Sequence, residues 1–154
     1  MSVAALSGLR MATAQDLPHI KALVARAYGG YVTELGVRPG PLDDDYATAI
    51  AAGQAQVIEQ AGVVLALLVL IPSGDVMLLD NIAVSPDGQG LGLGRALLAY
   101  AEQSARDGGF AAIRLYTHEK MTRNQAIYAR AGYVETRRVE ERGLRRVYME
   151  KPLR

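Results

Sequence analysis

The residues best suited to chemistry are three glycines at alternate positions, Gly90, Gly92 and Gly94, between an apolar run and a helical pattern. The apolar run, Leu78 to Val84, is typical of a strand and stops at Pro86. Glycine lets the main chain approach a ligand closely, because no Cβ stands in the way. The first turn of a helix leaves several N–H groups unpaired and carries positive partial charge. A strand, a glycine loop and a helix start therefore predict a site for a phosphate or diphosphate group.

Two nucleotide-binding motifs share this arrangement, and the residues around the glycines disfavour both. A P-loop needs a lysine and then a serine or threonine after its last glycine, whereas Arg95 and Ala96 follow the third glycine here. A dinucleotide-binding loop needs a third glycine three positions after its second. That position holds Arg95 if the pattern starts at Gly90, and Leu97 if it starts at Gly92. The loop is therefore assigned to another phosphate-bearing ligand.

Composition restricts the chemistry further. The chain has 154 residues, enough for one domain, with a net charge near +1, no cysteine and two histidines. A thiolate nucleophile and a disulfide are excluded, and we expect no metal site. The near-neutral charge gives no indication of a nucleic-acid or membrane partner.

The same sequence predicts a cytoplasmic location. Met1 to Leu9 has no basic stretch and too short an apolar run for a signal peptide. The longest apolar run, Val63 to Ile71, is far shorter than the ~20 residues that cross a bilayer. We therefore expect neither export nor a membrane anchor.

Hydrophobic periodicity predicts an α/β (α+β) fold with a mixed, mostly antiparallel central sheet and the element order βααβββαβαββ. Thr13 to Asp16 and Thr122 to Gln125 resemble capping boxes, which predict two helix starts. The pair Gly29-Gly30 is predicted to end the first helix. The other predicted elements are a helix over 42–52, strands over 9–11, 56–60, 63–71 and 76–84, a helix from the glycine loop to 108–109, and strands over 111–116, 133–139 and 144–149.

Two motifs together resemble a known family. Gln89 to Gly94 fits Q/R-x-x-G-x-G/A and follows a strand that ends in V-x-P. Asn124 to Tyr133 fits N-x-x-x-Y followed by G-[FY]. These motifs and the element order are similar to those of the GNAT superfamily of N-acetyltransferases. The resemblance implies a single acyltransferase domain over residues 1–154, with acetyl-CoA as the acyl donor.

The resemblance also implies where the coenzyme binds. In this family the loop amides hold the diphosphate of CoA, and the pantetheine arm pairs with the strand before the loop. One N–H of that strand can also face the thioester oxygen. Carried over to this sequence, the coenzyme-binding residues are Ile82, Ala83, Val84, Gln89, Gly90, Leu91, Gly92, Leu93, Gly94, Arg95 and Asn124.

Tyr128 is implied to be the general acid toward the departing CoA thiolate. A phenol titrates near ~10 and a thiol near ~8.5, so complete proton transfer is uphill by about 2 kcal/mol. Either the phenol must be made more acidic, or it acts by hydrogen bonding while water completes the transfer. The amine is expected to attack the thioester directly in a ternary complex, because no cysteine is present to carry the acyl group.

The acceptor is expected to be a primary amine, which is mostly protonated at pH 7 and so needs a base. Family members often place a carboxylate on the strand that holds Asp80, which is the first candidate. Glu119 and His118 are the other two candidates. A surface or turn role suits each of the three at least as well.

The region from Tyr28 to Tyr46 normally covers the acceptor cleft in this family. Tyr31 in this region, and Glu119 elsewhere, are candidate substrate contacts. The run Asp43-Asp44-Asp45 suits either a cationic amine or the first turn of a helix. The arginines between positions 137 and 146 alternate with glutamates, which predicts a solvated hairpin face rather than a nucleic-acid site.

Two other functions stay open at this point. The chain could be a CoA-binding sensor or partner module without turnover, which the intact Tyr128 disfavours. It could also use another acyl-CoA, or a protein- or tRNA-linked amine, although the near-neutral charge gives no indication of tRNA. Family members are often dimers, so a homodimer is a further expectation.

Overall fold

The computed structural model describes residues 6–36, 38 and 40–154. Residues 1–5, positions 37 and 39 of the predicted acceptor region, and the side chains of Thr33, Leu35 and Asp43 lie outside the described residues. The element order is βααβββαβαββ, as predicted. The elements are β1 Leu9–Met11, α1 Leu17–Leu35, α2 Tyr46–Ala51, β2 Ala55–Gln60, β3 Val63–Ser73, β4 Val76–Val84, α3 Leu93–Asp107, β5 Ala112–His118, α4 Thr122–Arg130, β6 Val134–Glu141 and β7 Leu144–Pro152.

The strands form one mixed sheet of seven strands in the order β1-β2-β3-β4-β5-β7-β6. The pairs β1–β2, β2–β3, β5–β7 and β6–β7 are antiparallel, whereas β4 and β5 are parallel. A parallel pair needs a crossover connection, and helix α3 provides it. The predicted fold class is therefore confirmed. None of the helices in the described ranges is long and apolar enough to cross a membrane.

The chain divides into two compact units, which are described in turn. Unit 1 comprises Met1–Leu70 and Asn81–Ala101, and unit 2 comprises Ile71–Asp80 and Glu102–Arg154. In unit 1, the six consecutive residues 65–70 of β3 are all buried. An apolar run without alternation is typical of a strand that is covered on both faces. Helix α1 contributes Ile20, Leu23 and Val24 to the same core.

Unit 2 contains the second half of the sheet. Strand β5 pairs on one side with the first four residues of β4, in the register Val76↔Ala112 to Leu79↔Leu115. On its other side all of β5 pairs with residues 146–152 of β7, from Ala112↔Pro152 to His118↔Arg146. The β6–β7 hairpin turns at Arg142-Gly143, as predicted, and both turn residues have positive φ. This positive φ suits a tight hairpin turn.

The prediction that Gly29-Gly30 ends the first helix is wrong. Helix α1 continues through both glycines to Leu35 and ends at Gly36, which has a φ of 72°. The Gly36 amide donates to the Val32 carbonyl at 3.1 Å. Glycine in a helix interior costs only ~1 kcal/mol relative to alanine, so packing of the neighbouring residues can override it. A left-handed C-cap, in contrast, strongly favours glycine, which explains why the third glycine ends the helix.

The bounds of the second helix are also corrected. Pro41 does not open a helix over 42–52 but lies in a 3-10 turn over Gly40–Asp43, and α2 covers only Tyr46–Ala51. Asp45 is the N-cap, because its carboxylate accepts from the Thr48 amide at 3.1 Å. Hydrogen bonds from the hydroxyl and the amide of Thr48 lower the pKa of Asp45. Asp45 therefore serves as a helix cap, the second of the two roles considered for the acidic run.

Of the two predicted capping boxes, the first is confirmed and the second is wrong. The Thr13 amide donates to the Asp16 carboxylate at 2.7 Å, which is the backward half of a capping box. Thr122, however, is the first residue of α4, and Met121 precedes it as N-cap without a side-chain bond. The Gln125 amide group instead donates to the carbonyls of His118 and Glu119 at 3.2 and 2.9 Å. Gln125 thus anchors the start of α4 to the end of β5.

The buried carboxylate of Asp16 predicts a loss of stability in acid. Arg10 donates to both of its oxygens at 2.8 and 2.9 Å, and these bonds hold the pKa of Asp16 well below its ordinary value. A lowered carboxyl pKa stabilises the fold above pH ~4, and this contribution is lost as the pH falls further. We expect about 2 kcal/mol, discounted because the Arg10 side chain is 37% exposed. Urea unfolding between pH 7 and pH 2 measures most of it.

Asp16→Asn is expected to flatten that pH dependence, since the amide cannot titrate. Asp75→Asn, at an exposed turn position, is the matched control and should keep the slope of the wild-type protein. If Asp16→Asn and the wild-type protein lose the same free energy of unfolding in acid, the assignment to Asp16 is refuted.

Candidate functional site

The loop between β4 and α3 has the conformation that its glycines predict. Ser85 follows β4, and its hydroxyl accepts from the Asp87 amide at 3.1 Å, which starts a short 3-10 turn over Pro86–Gly88. Gly90 and Gly92 have φ values of 84° and 75°. Side chains other than glycine rarely adopt this region, so the loop conformation itself requires both glycines.

Gly94 needs a different explanation. It lies in the first turn of α3 and has no positive φ. A Cβ on this residue would make an ordinary contact of 3.8 Å with Val84 Cγ2. Alanine would therefore fit and would favour the helix by roughly 1 kcal/mol. The fold does not require this glycine, which points to close approach by something outside the chain.

The start of α3 presents main-chain donors. The first hydrogen bond of the helix runs from the Ala96 amide to the Gly92 carbonyl at 3.0 Å. The amides of Leu93, Gly94 and Arg95 precede it, in the turn where a helix has no carbonyl for its N–H groups. A Cβ at Gly90 or Gly92 would meet no atom within 4 Å, so this surface is open. An anion is the ligand that such a helix start favours.

The acidic residue of the loop is neutralised by an ion pair. Asp87 is the acid of the loop, and Arg26 of α1 contacts it at 3.0 Å. This pair lowers the pKa of Asp87. Arg95 is exposed at the helix start, as the prediction of a charge-assisted contact requires. Sequence patterns did not indicate Arg26, because it is 61 residues from its partner.

We infer from two contacts and the burial pattern of β4 that the main-chain groups of Ile82 and Val84 point away from β3. The Ser85 amide donates to the Leu65 carbonyl of β3 at 2.8 Å. Burial alternates without a break from Val76 to Val84, as in a regular extended strand. In such a strand the main-chain groups of successive residues point to opposite edges. The Ser85 amide points to β3, so the main-chain groups of Ile82 and Val84 point to the other edge. Strand β4 pairs with β5 from Val76 to Leu79. Beyond this pairing, the Tyr28 hydroxyl donates to the Ile82 carbonyl at 3.0 Å.

A buried polar residue beside Ile82 was missed in the sequence. Asn81 is 4% exposed, and both ends of its amide group are hydrogen-bonded, to Tyr28 and to Tyr46. Alternation along β4 places Met77, Leu79, Asn81 and Ala83 on the buried face. The sequence did contain a signal for this residue, namely a polar residue at an inward position of an apolar strand. A polar group at such a position is buried only when it has hydrogen-bond partners.

In unit 2, the predicted pair Asn124 and Tyr128 lies on α4, and both residues are half-buried. The ring of Tyr128 packs edge-on against Tyr133, with the ring centres 6.0 Å apart. Tyr133 is buried, and burial together with the nearby Glu102 carboxylate raises its pKa. Its hydroxyl has no hydrogen-bond partner within the described ranges. Asn124 and Tyr128 are four residues apart in α4, so they lie on one face of this helix.

Asp80, the first candidate base, is held by a tyrosine that the sequence did not indicate. Tyr116 of β5 donates to Asp80 Oδ1 at 2.8 Å. The guanidinium of Arg146 lies over the Tyr116 ring, 4.2 Å from its centre, and pairs with Glu141 at 3.1 Å. Arg146 is only 8% exposed, so the prediction of a wholly solvated arginine face is wrong at this position. Packing on an aromatic ring explains why this arginine is buried.

The other candidates have structural partners of their own. Glu119 pairs with Arg145 at 3.2 Å. His118 Nδ1 accepts from the Lys120 amide at 3.1 Å, and burial lowers the pKa of His118. Tyr31 of α1 is half-buried, with its ring 6.3 Å from that of Tyr28. Among the described residues, no group of three or more acidic or histidine side chains is arranged to hold a metal ion.

Comparison with known proteins identifies the family that this fold and loop define. The model of the Acetyltransferase (GNAT) family matches residues 21–133, which include the glycine loop and α4. The chain therefore belongs to the GNAT acetyltransferase family.

Individual relatives are more distant. A 65-residue segment is 40% identical to mycothiol acetyltransferase from Cellulomonas flavigena, which corresponds to 42% of this chain and 19% of that protein. The chain thus spans about a fifth of the length of this curated relative.

Solved structures share the fold over nearly the whole chain. PaiA N-acetyltransferase from Thermoplasma acidophilum, in complex with coenzyme A, has a TM-score of 0.76 at 16% identity, covering 94% of this chain and 97% of that one. A GCN5-related N-acetyltransferase from Rhodopseudomonas palustris has a TM-score of 0.77 at 19% identity, with 96% of each chain covered. The ribosomal-protein-S18-alanine N-acetyltransferase of Escherichia coli has a TM-score of 0.70 at 22% identity, covering 94% of this chain and 92% of that one.

Proposed function

We propose that this chain is a single-domain N-acetyltransferase that moves an acetyl group from acetyl-CoA to a primary amine. The observation that carries the proposal is the start of α3. It offers unpaired amides, an open surface at Gly90 and Gly92, and a glycine at position 94 that the fold itself does not need. Main-chain donors at a helix start suit the diphosphate of a coenzyme, and Arg95 adds a positive charge.

The edge of β4 supports the second half of the coenzyme site. The main-chain groups of Ile82 and Val84 face away from β3, where they can pair with an extended ligand as another strand would. Ala83 faces the core, so its part is to hold its two neighbours in an extended conformation. Asn124, one turn before Tyr128, is assigned to the coenzyme by family resemblance.

In the proposed reaction, the amine nitrogen attacks the thioester carbonyl carbon, a C–N bond forms, and the C–S bond breaks. The amine gives up one proton, and the departing sulfur takes up one. Tyr128 supplies the proton at the sulfur, directly or through water, and regains one from solvent. Asp80 takes the proton from the amine, directly or through water, and releases it to solvent. No acyl-enzyme is involved, since the chain has no cysteine to carry it.

Two solved structures with a similar fold indicate which kinds of acceptor should be considered. One relative acts on the alanine of a ribosomal protein, and another was solved with coenzyme A and N-acetyl-glutamate. We propose that the acceptor here is likewise a small-molecule or peptide amine, reached past Tyr31, in a cytoplasmic protein.

Calorimetric titration with CoA, followed by a thiol-release screen of amines with acetyl-CoA, tests the proposal. The amines should include amino acids, polyamines and peptides with different N-termini. We expect CoA binding and turnover with at least one amine. CoA binding without turnover on any amine would favour the sensor module instead, and the absence of CoA binding would refute the proposal.

The role of Asp80 has its own test. Asp80→Asn keeps an oxygen that accepts from Tyr116 but cannot take a proton, so kcat should fall by roughly 10- to 100-fold while the Kd for CoA stays the same. Glu150→Gln is the matched control, because Glu150 is a half-buried carboxylate of the same unit that pairs with Arg114 at 3.0 Å. Unchanged turnover in Asp80→Asn would assign the base to another group.

A further inference from the structure

A chain of hydrogen bonds inside unit 1 links the proposed coenzyme edge of β4 to the segment that precedes α2. The Tyr28 hydroxyl lies 2.8 Å from Asn81 Oδ1 and 3.0 Å from the Ile82 carbonyl. Asn81 Nδ2 donates to the Tyr46 hydroxyl at 2.9 Å, and that hydroxyl donates to the Pro41 carbonyl at 2.7 Å. Asn81 and Tyr46 are each 4% exposed. The bonds therefore connect α1, the 3-10 turn, α2 and β4 through the interior.

The Tyr28 hydroxyl has one proton and two acceptors. It can donate fully to only one of them, or share the proton less favourably between both. Asn81 Oδ1 is buried and needs a donor. The Ile82 carbonyl has two lone pairs and faces the edge of β4 away from β3, so it can accept from Tyr28 and from a ligand together. Two discrete arrangements of one proton are thus available at the coenzyme edge.

We infer that Tyr28 is a positioning residue for the coenzyme. Its hydroxyl fixes the Ile82 carbonyl in the orientation that an amide of the pantetheine arm needs. The hydrogen bonds of Asn81 and Tyr46 connect this carbonyl to residues 40–46. The inference rests on the proposed function, since it requires CoA to pair with β4. Tyr28 itself does not touch the reacting atoms.

We expect coenzyme binding to stabilise residues 40–46. When a ligand N–H donates to the second lone pair of the Ile82 carbonyl, the Tyr28 hydroxyl stays beside that carbonyl and shares more of its proton with Asn81 Oδ1. A stronger bond to Asn81 Oδ1 polarises the amide group and strengthens its donation to Tyr46. The 3-10 turn before α2 is then held more tightly with coenzyme than without it. Because this turn belongs to the segment expected to cover the acceptor, coenzyme would prepare the acceptor site.

Tyr28→Phe tests the positioning role, with Tyr100→Phe as the matched control. Both changes remove one hydroxyl that bonds a side-chain amide, and Tyr100 bonds Gln56 at 3.0 Å on another part of unit 1. Titration calorimetry with CoA should show at least a tenfold weaker Kd for Tyr28→Phe and less than a twofold change for Tyr100→Phe. Equal loss in both variants would mean that only general stability is involved, and would overturn the inference.

Hydrogen exchange of the wild-type protein tests the extension to residues 40–46 and does not depend on any variant folding. Saturating CoA should slow amide exchange in this segment at least fivefold. In Tyr46→Phe, which leaves the Tyr28–Ile82 bond in place, the slowing should disappear while the Kd for CoA changes less than twofold. A wild-type segment that does not respond to bound CoA would overturn the inference and leave the proposed function intact. Failure of the wild-type protein to bind CoA would instead refute the proposed function.

Discussion

Replacement of Tyr128 by phenylalanine is expected to lower kcat by roughly 100-fold or more and to leave the Kd for CoA within twofold of the wild-type value. Removal of a general acid typically costs 10²- to 10⁴-fold in rate. Phenylalanine keeps the ring that packs against Tyr133, so the fold of α4 should not change. Thiol release under saturating acetyl-CoA and amine measures kcat, and calorimetry measures binding.

Tyr133→Phe is the control for this prediction. Tyr133 contacts Tyr128 and undergoes the same chemical change, but its buried hydroxyl has no hydrogen-bond partner in the part of the chain that the structure describes. Deleting an unsatisfied buried hydroxyl should be neutral or slightly stabilising. We therefore expect turnover within twofold of the wild-type rate. Similar turnover in Tyr128→Phe and the wild-type protein would remove the assigned role of Tyr128.

Leu91→Asp is expected to weaken CoA binding by about 100-fold. Leu91 is 54% exposed in the glycine loop, so the change should not disturb the core. Two like charges ~6 Å apart at an effective dielectric constant of ~20 repel each other by about 3 kcal/mol, which corresponds to the stated factor. An aspartate just before a helix also favours the folded state by up to ~1 kcal/mol. Affinity should thus fall while stability holds or rises.

Leu91→Asn is the control that separates the effect of the added charge from the effect of the changed side-chain shape. Asparagine has nearly the same size as aspartate without its charge, so it should weaken binding by no more than about threefold. Because the repulsion is electrostatic, the difference between the two variants should shrink as the salt concentration is raised from 0.05 to 0.5 M. Calorimetry with CoA measures both. Equal affinity of the aspartate and asparagine variants would place the diphosphate away from this loop.

Local signals in the sequence predicted the loop and α4 well. The alternate glycines mark two positive φ values at Gly90 and Gly92, a property of each residue alone. The period of four places Asn124 and Tyr128 on one helix. The turn residues before Val76 and the proline at position 86 gave β4 its bounds without error. Each of these features depends on neighbours within a few positions of the chain, which is the range over which a sequence pattern is informative.

The errors arose where another interaction competes with the local preference that a sequence pattern shows. Gly29 and Gly30 favour a helix end, yet α1 continues to a glycine whose positive φ provides a better end. Thr122 and Gln125 fit a capping box, yet Gln125 bonds two carbonyls at the end of β5. Arg146 lies in a charged hairpin, yet it packs on Tyr116. In the first case a stronger local signal outweighs a weaker one, and in the other two a tertiary contact outweighs a local preference of about 1 kcal/mol.

The sequence by itself determined the element order, the family motifs and the unpaired main-chain amides at the start of α3, because main-chain conformation and unpaired helix amides follow from short segments. Only the tertiary structure decided which side chains meet: Tyr116 with Asp80, Arg26 with Asp87, and Tyr28 with Asn81. These partners are 36 to 61 residues apart in the chain. Packing of helices and strands brings such residues together, and no periodicity within one segment encodes it.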